Sequence, residues 1–175
     1  MSKPILCLDF DGVVHSYSSD WQGAAMVSGL PVAGALDFIA AAKQHFTVVI
    51  HSARSGQPGG IEAMQLWLRD HVEDAAENRG FNIDLSEDGA WKWVKEIGWP
   101  TLKPPAKVYI DDRAVTFTGA WPSLDALRKF EPWKPPQVLL QTSPADYALL
   151  RKQHDIAISL LARLENEIRR DPPWR

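Results

Sequence analysis

Ile5-Leu6-Cys7-Leu8-Asp9-Phe10-Asp11-Gly12 is an apolar run that ends in two acids and a glycine. A short apolar run bounded by a glycine turn reads as a buried strand, here residues 5–10. Alternation along a strand puts Asp9 and Asp11 on the same side. Two carboxylates that close repel each other unless a proton or a cation sits between them.

The same pattern recurs further along. Residues 46–50, Phe-Thr-Val-Val-Ile, form a second β-branched strand, and His51-Ser52-Ala53-Arg54 leaves its carboxyl end. Residues 107–110 form a later strand that runs into Asp111-Asp112. Between the strands lie helices. One is expected over 31–45, with Ala35, Leu36, Ile39, Ala40 and Ala42 as its apolar side. Another is expected over 61–78, with Ile61, Met64, Leu68 and Val72 near helical spacing. Residues 13–30 read as a loop or small hairpin, and the breakers of 56–60 as a loop. Residues 79–106 are less regular: a helix is expected over 88–97 and a short strand over 81–85. A further short strand is expected over 115–118 and a brief helix over 124–130. Strands alternating with helices predict an α/β fold, a Rossmann-like parallel sheet with helices on both faces. In such sheets, sites form outside the carboxyl ends of the strands. The polar clusters fall at those ends.

The bulk composition narrows the field. At 175 residues, 45% hydrophobic and 23% charged, the chain suits one globular domain with an appendage. Its 22 acidic and 19 basic residues give a net charge of -3, so no bulk nucleic-acid binding is expected. A nucleotide or a phosphorylated strand end remains open as a substrate. The one cysteine, Cys7, excludes an intrachain disulfide and reads as a small buried hydrophobe. The run after Met1-Ser2-Lys3-Pro4 is too short for a signal segment, and no apolar stretch approaches the roughly 20 residues that span a bilayer. No membrane association and a cytoplasmic location are therefore expected.

Carboxylates from separate strand ends call for a hard cation with oxygen ligands, magnesium above all, and a phosphate is its natural second partner. The set resembles the signatures of the haloacid dehalogenase (HAD) superfamily. Asp9-Phe10-Asp11-Gly12-Val13 is similar to the first signature. Val48-Val49-Ile50-His51-Ser52 resembles the second, and Val108-Tyr109-Ile110-Asp111-Asp112 the fourth. The third is a lysine, for which Lys103 and Lys107 compete. The resemblance covers residues 4 to about 130 and implies a HAD-like catalytic domain over 1–130.

That likeness implies a mechanism residue by residue. Asp9 would attack phosphorus to form an aspartyl-phosphate, and Asp11 would act as acid and then base. Ser52 would hydrogen-bond the phosphoryl oxygens, with Arg54 and Gly12 completing the substrate-binding set. A lysine, preferably Lys103, would neutralise developing charge. Magnesium would be held by Asp9, the backbone carbonyl of Asp11, Asp111 and Asp112. A phosphotransferase and a non-catalytic binding or assembly module are the alternatives.

Several residues have two readings. Arg54 either clamps an anionic substrate or makes an ordinary ion pair. His15 and His51 are local hydrogen-bonding residues or catalysts, and Gly59-Gly60 is a turn or an anion-binding helix start. The short insertions at 13–30 and 53–102 predict a capless or minimally capped enzyme. Tyr17 and Trp21 in the 13–30 flap either stack on a ring or pack on the domain. Most of the eight Trp residues are expected to serve packing.

A proline-rich linker is expected over 131–142, followed by a helix in the segment 143–175. Ser143 and Pro144 suit its N-terminus. Tyr147, Leu150, His154, Ala157, Leu161, Leu164 and Ile168 follow heptad steps. Such a seam is expected to bury itself against a second subunit, giving a homo-oligomer, or against its own domain.

Overall fold

Three short strands pair in parallel, and the first in sequence lies in the middle. The computed structural model describes residues 2–83 and 88–133, and the expected linker beyond 133 and the helix expected in 143–175 lie outside them. Strand β1 is Ile5–Leu8, β2 is Thr47–Ile50 and β3 is Val108–Ile110, in the order β2-β1-β3. The registers are Leu8 with Ile50 and Leu8 with Ile110. Because both ladders are parallel, all three carboxyl ends lie at one edge of the sheet. The fold is α/β, with a small open sheet and four helices among the described residues.

Helix α1 is Ala35–Ala42, shorter than the 31–45 expected. The residues ahead of it are committed elsewhere. Pro31 bridges to His15, and the Val32 amide donates to the Val14 carbonyl at 2.9 Å. A helix can begin only after Gly34. Helix α2, Gly60–Arg79, matches its apolar spacing and ends on Gly80. Helix α3 is Gly89–Lys95 and α4 is Leu124–Arg128, where Ser123 caps the start through its hydroxyl.

Two expected strands differ. Residues 115–118 form no strand, and Val115 and Phe117 are exposed. Residues 81–83 form none either, and 84–87 lie outside the described residues. Instead Phe81 packs edge-on against Trp93. The outer edge of β2 is met by Gly98, whose amide donates to the Val48 carbonyl at 3.0 Å while its carbonyl accepts from Ile50 at 2.9 Å. Periodicity cannot reveal a one-residue bridge of this kind.

The core forms where β1 and β2 meet α1, α2 and α3. Leu6, Leu8, Phe10, Ile39, Ile50, Met64, Leu68, Val72 and Val94 are all buried in it. Each such side chain contributes about 1.5–3 kcal/mol relative to exposure. β3 differs: Val108, Tyr109 and Ile110 remain exposed. Of the Trp residues, Trp67 and Trp93 are buried, whereas Trp21, Trp121 and Trp133 are exposed. Among the described residues, no helix is long and apolar enough to cross a membrane.

Helix α2 starts against the loop that follows β2. A Cβ placed on Gly60 would lie 2.1 Å from the Arg54 carbonyl oxygen, which is backbone and cannot swing away. Gly56, four residues earlier, has nothing within 4 Å of the same position. Alanine in a helix gains about 1 kcal/mol over glycine, but overpacking of this kind costs about 1–3 kcal/mol. Gly60→Ala is therefore expected to lower the melting temperature, while Gly56→Ala leaves it unchanged or slightly raised. Calorimetry on both variants checks this, and equal melting temperatures would contradict the close approach.

Candidate active site

The chain leaves β1 through a tight turn. The amides of Val14 and His15 donate back to the Phe10 carbonyl at 2.9 and 2.8 Å, and Gly12 N donates to the His15 carbonyl at 2.7 Å. Gly12 has a φ of 89°, the left-handed region that favours glycine. A Cβ there would lie 2.6 Å from both Asp112 Oδ2 and Tyr17 Cε2. The glycine after the two acids thus lets Asp112 and the flap approach the turn closely.

Asp9 and Asp111 stand one step beyond the Leu8–Ile110 pair, and the Asp9 amide donates to the Ile110 carbonyl at 2.9 Å. With Asp112 they form a cluster whose carboxylate oxygens, one from each, lie within 4.8 Å of one another. Asp111 Oδ1 accepts from the Arg113 amide at 2.7 Å, which fixes the turn after β3. Asp112 has a side chain only 2% exposed. Its Oδ2 lies 2.9 Å from the Tyr17 hydroxyl, and its buried Oδ1 has no hydrogen-bond partner. Burying a carboxylate oxygen unpartnered is costly. Burial pushes the Asp9 carboxyl up to about 7, the Phe10 amide at 2.7 Å opposes the rise, and the charges of Asp111, Asp11 and Asp112 add to it. A cation bound by these oxygens would satisfy the orphaned atom and relieve the mutual repulsion, so the donor set fits a hard divalent ion.

Asp11 points elsewhere. Its carboxylate takes a two-pronged contact from Arg54, Nε to Oδ2 at 2.8 Å and Nη2 to Oδ1 at 3.0 Å. His15 Nδ1 lies 3.0 Å from Oδ1. Burial alone would raise the Asp11 carboxyl, but the hydrogen bonds from His15 and Arg54, and then their charges, hold it below the usual range. The Asp11 backbone carbonyl lies 3.2 Å from the Tyr17 hydroxyl, which also contacts Asp112 Oδ2.

Arg54 is 3% exposed. Its remaining donor, Nη1, faces the carbonyls of Gly23, Ala24 and Met26 at 2.9–3.1 Å. The guanidinium therefore ties the 13–30 flap to Asp11. The flap's return is held too: His15 Nε2 lies 2.6 Å from the Ser28 carbonyl, and Trp67 Nε1 donates to the Gly29 carbonyl at 3.0 Å. Phe10, His15 and Trp67 pack together beneath, with ring centroids 5.2–5.6 Å apart. Tyr17 closes the other side, where its hydroxyl accepts from Arg113 Nη2 at 3.1 Å.

Ser52 is buried at the end of β2, and its hydroxyl accepts from the Arg54 amide at 3.3 Å. Lys103 Nζ lies 4.6 Å from the centroid of the Tyr109 ring. The Tyr109 hydroxyl turns back to the Ala106 amide at 3.2 Å, so this ring lies over the segment that precedes β3. Lys107 lies at the remote end, its amide donating to the Ile5 carbonyl at 2.9 Å. The structure thus gathers Asp9, Asp111 and Asp112, with Gly12 against Asp112. It turns the Asp11 side chain and Arg54 toward the flap. His51 continues the β1–β2 ladder through its amide, which donates to the Leu8 carbonyl at 3.0 Å. Burial and the Asp9 charge raise the Cys7 thiol, as suits an inert core residue. Sequence reasoning missed the links from Tyr17 to Asp112 and Arg113, which join residues nearly a hundred positions apart. Comparison with protein-family models, curated proteins and solved structures finds no match.

The sign of the pH dependence follows from Asp9. A carboxyl whose folded value lies above its unfolded 3.8 favours the protonated form. Its stabilising effect is complete below about pH 4 and is lost as pH rises through about 7. Without divalent cation, Asp9→Asn is expected to be more stable than the wild type at about pH 8 and to differ little at about pH 4. Added magnesium is expected to raise the wild-type melting temperature by several degrees at about pH 8. A hundredfold excess over Kd adds about 2.7 kcal/mol, and each kcal/mol is worth about 2–4 °C for this length. Thermal unfolding at the two pH values measures both effects. Equal responses from wild type and Asp9→Asn would contradict the assignment.

Proposed function

We propose that this chain is a magnesium-dependent phosphohydrolase of the HAD-like kind, with a Rossmann-like core and Asp9 as nucleophile. The observation that carries this reading is the cluster of Asp9, Asp111 and Asp112 at adjacent parallel strand ends, with a buried Asp112 oxygen left unpartnered. Buried carboxylate oxygens are normally hydrogen-bonded, and Asp112 Oδ1 is not.

Asp9, Asp111, Asp112 and the Asp11 carbonyl would hold the metal. When bound, it would neutralise charge on these carboxylates and on the phosphate oxygens. An Asp9 carboxylate oxygen attacks phosphorus as the ester P–O bond breaks, and the departing alkoxide takes a proton from Asp11, which must first leave Arg54 and His15 and take up that proton from solvent. Water then attacks phosphorus, Asp11 accepts its proton, and the bond from phosphorus to Asp9 breaks to release phosphate. The Ser52 hydroxyl and the Lys103 ammonium would bind phosphoryl oxygens.

A second reading, a module that binds a phosphorylated ligand without turnover, is favoured by one observation. Arg54 and His15 hold Asp11 ionised, which suits a base and not an acid. Activity decides between them. With p-nitrophenyl phosphate and magnesium, the enzyme reading expects turnover that excess chelator abolishes and magnesium restores. Asp9→Asn should lower it by orders of magnitude with the fold intact. Lys103→Ala should lower it about 10²-fold, and Lys107→Ala far less. Turnover that survives chelation or Asp9→Asn would overturn the mechanism, and the reverse lysine ranking would overturn the choice of Lys103.

A further inference from the structure

The turn after β3 carries an arginine whose contacts differ from those of Arg54. The Arg113 side chain is 62% exposed, yet its head group is held. Its Nε and Nη2 both donate to the Tyr17 hydroxyl, at 3.2 and 3.1 Å. That hydroxyl lies 2.9 Å from Asp112 Oδ2, in the acid cluster. Tyr17 is fixed in turn by its close approach to Gly12, where a Cβ would lie 2.6 Å from Cε2. An arginine that only balanced these acids would sit on a carboxylate, as Arg54 sits on Asp11 at 2.8 Å. Arg113 Nε instead lies 4.0 Å from Asp112 Oδ2, and Asp112 Oδ1 is left without a partner. The hydrogen bond and charge of Tyr17 tighten the guanidinium's hold on its protons, and the charges of Asp112 and Asp9 add to it. The head group therefore lies within the field of the proposed nucleophile.

A guanidinium carries five N–H groups in a planar fork. Tyr17 takes the Nε–Nη2 edge. Among the described residues, no acceptor meets the Nη1–Nη2 edge. That edge presents two parallel N–H groups, the geometry that takes two oxygens of a phosphate. We propose that the open edge of Arg113 binds two phosphoryl oxygens of the substrate, with Tyr17 as the residue that positions the fork. The other cations near the strand ends are placed differently. Arg54 is spent on Asp11 and three flap carbonyls, and Lys103 lies over the Tyr109 ring. A phosphate approaching three carboxylates is repelled, and a fixed cation at their rim offsets part of that repulsion. The effect of Arg113 on turnover rests on the phosphohydrolase reading; its effect on phosphate binding does not.

The test is calorimetric titration of the full chain with inorganic phosphate in the presence of magnesium. Arg113→Ala is expected to weaken binding roughly 10- to 150-fold, the worth of hydrogen bonds to a charged group, with the fold intact as an exposed side chain allows. Arg113→Lys keeps the charge without the fork and is expected to recover little of the loss. Tyr17→Phe is expected to weaken binding by itself and to add nothing once Arg113 is alanine, because the two act as one unit. Equal affinity in wild type and Arg113→Ala, or no phosphate binding by the wild type, would overturn the proposal. Full recovery in Arg113→Lys would overturn the two-oxygen contact, and a Tyr17→Phe effect undiminished in Arg113→Ala would overturn the positioning role. Turnover of p-nitrophenyl phosphate separates this from the function itself. Phosphate binding that depends on Arg113, in a wild type without turnover, sinks the phosphohydrolase reading alone. Turnover whose kcat/KM is unchanged in Arg113→Ala sinks the role of Arg113 alone.

Discussion

The guanidinium of Arg54 is the tie on which the carboxyl edge of the sheet depends. It leaves the end of β2, grips the Asp11 carboxylate with two nitrogens and offers the third to three flap carbonyls. A lysine carries one point charge and could not reproduce this fork. A buried ion pair is a poor source of net stability, but removing one partner costs about 3–5 kcal/mol because the other stays buried and uncompensated. Here removal would also strand three carbonyls. The pair therefore acts as a specificity device: it fixes where the flap lies and how Asp11 points.

The second constraint is the charge that parallel pairing concentrates. β1 and β3 run side by side, so the residues after each must meet at the same edge, and those residues are acids. Asp11, paired with Arg54, stays ionised; Asp9, without a cationic partner, is pushed up to about 7. Two carboxyls two residues apart are thus set to opposite tendencies by their surroundings. Without a cation these tendencies run opposite to the proposed roles of Asp9 as nucleophile and Asp11 as acid, and a cation held by the cluster would draw the Asp9 carboxyl back toward its ionised form.

Much of this was legible in the sequence because it is local. The apolar runs 5–8 and 47–50 could only be strands, α2 followed from the spacing of Met64, Leu68 and Val72, and the acids could be placed at strand ends. What escaped was non-local. Nothing near Pro31 shows that it pairs with His15 and delays α1, and nothing near Gly98 shows that it covers the edge of β2. An arginine after Ser52 reads as an exposed cation until the flap folds over it. Tyr17 reads as a loop aromatic until the turn after β3 brings Asp112 and Arg113 to its hydroxyl. The strand expected over 115–118 failed for the converse reason: β-branched content expresses a preference, and among the described residues no neighbouring strand satisfies it.

The central claim is that Asp9 forms a covalent bond to phosphorus, and an acyl phosphate can be read directly. Borohydride reduces an aspartyl-phosphate to homoserine and leaves a free carboxylate untouched. The protein would be incubated with magnesium and p-nitrophenyl phosphate, quenched in acid, reduced and mapped by peptide mass spectrometry. The account predicts homoserine at position 9, dependent on substrate and on magnesium. An unmodified Asp9 during demonstrable turnover, or homoserine at Asp11, Asp111 or Asp112 instead, would contradict it.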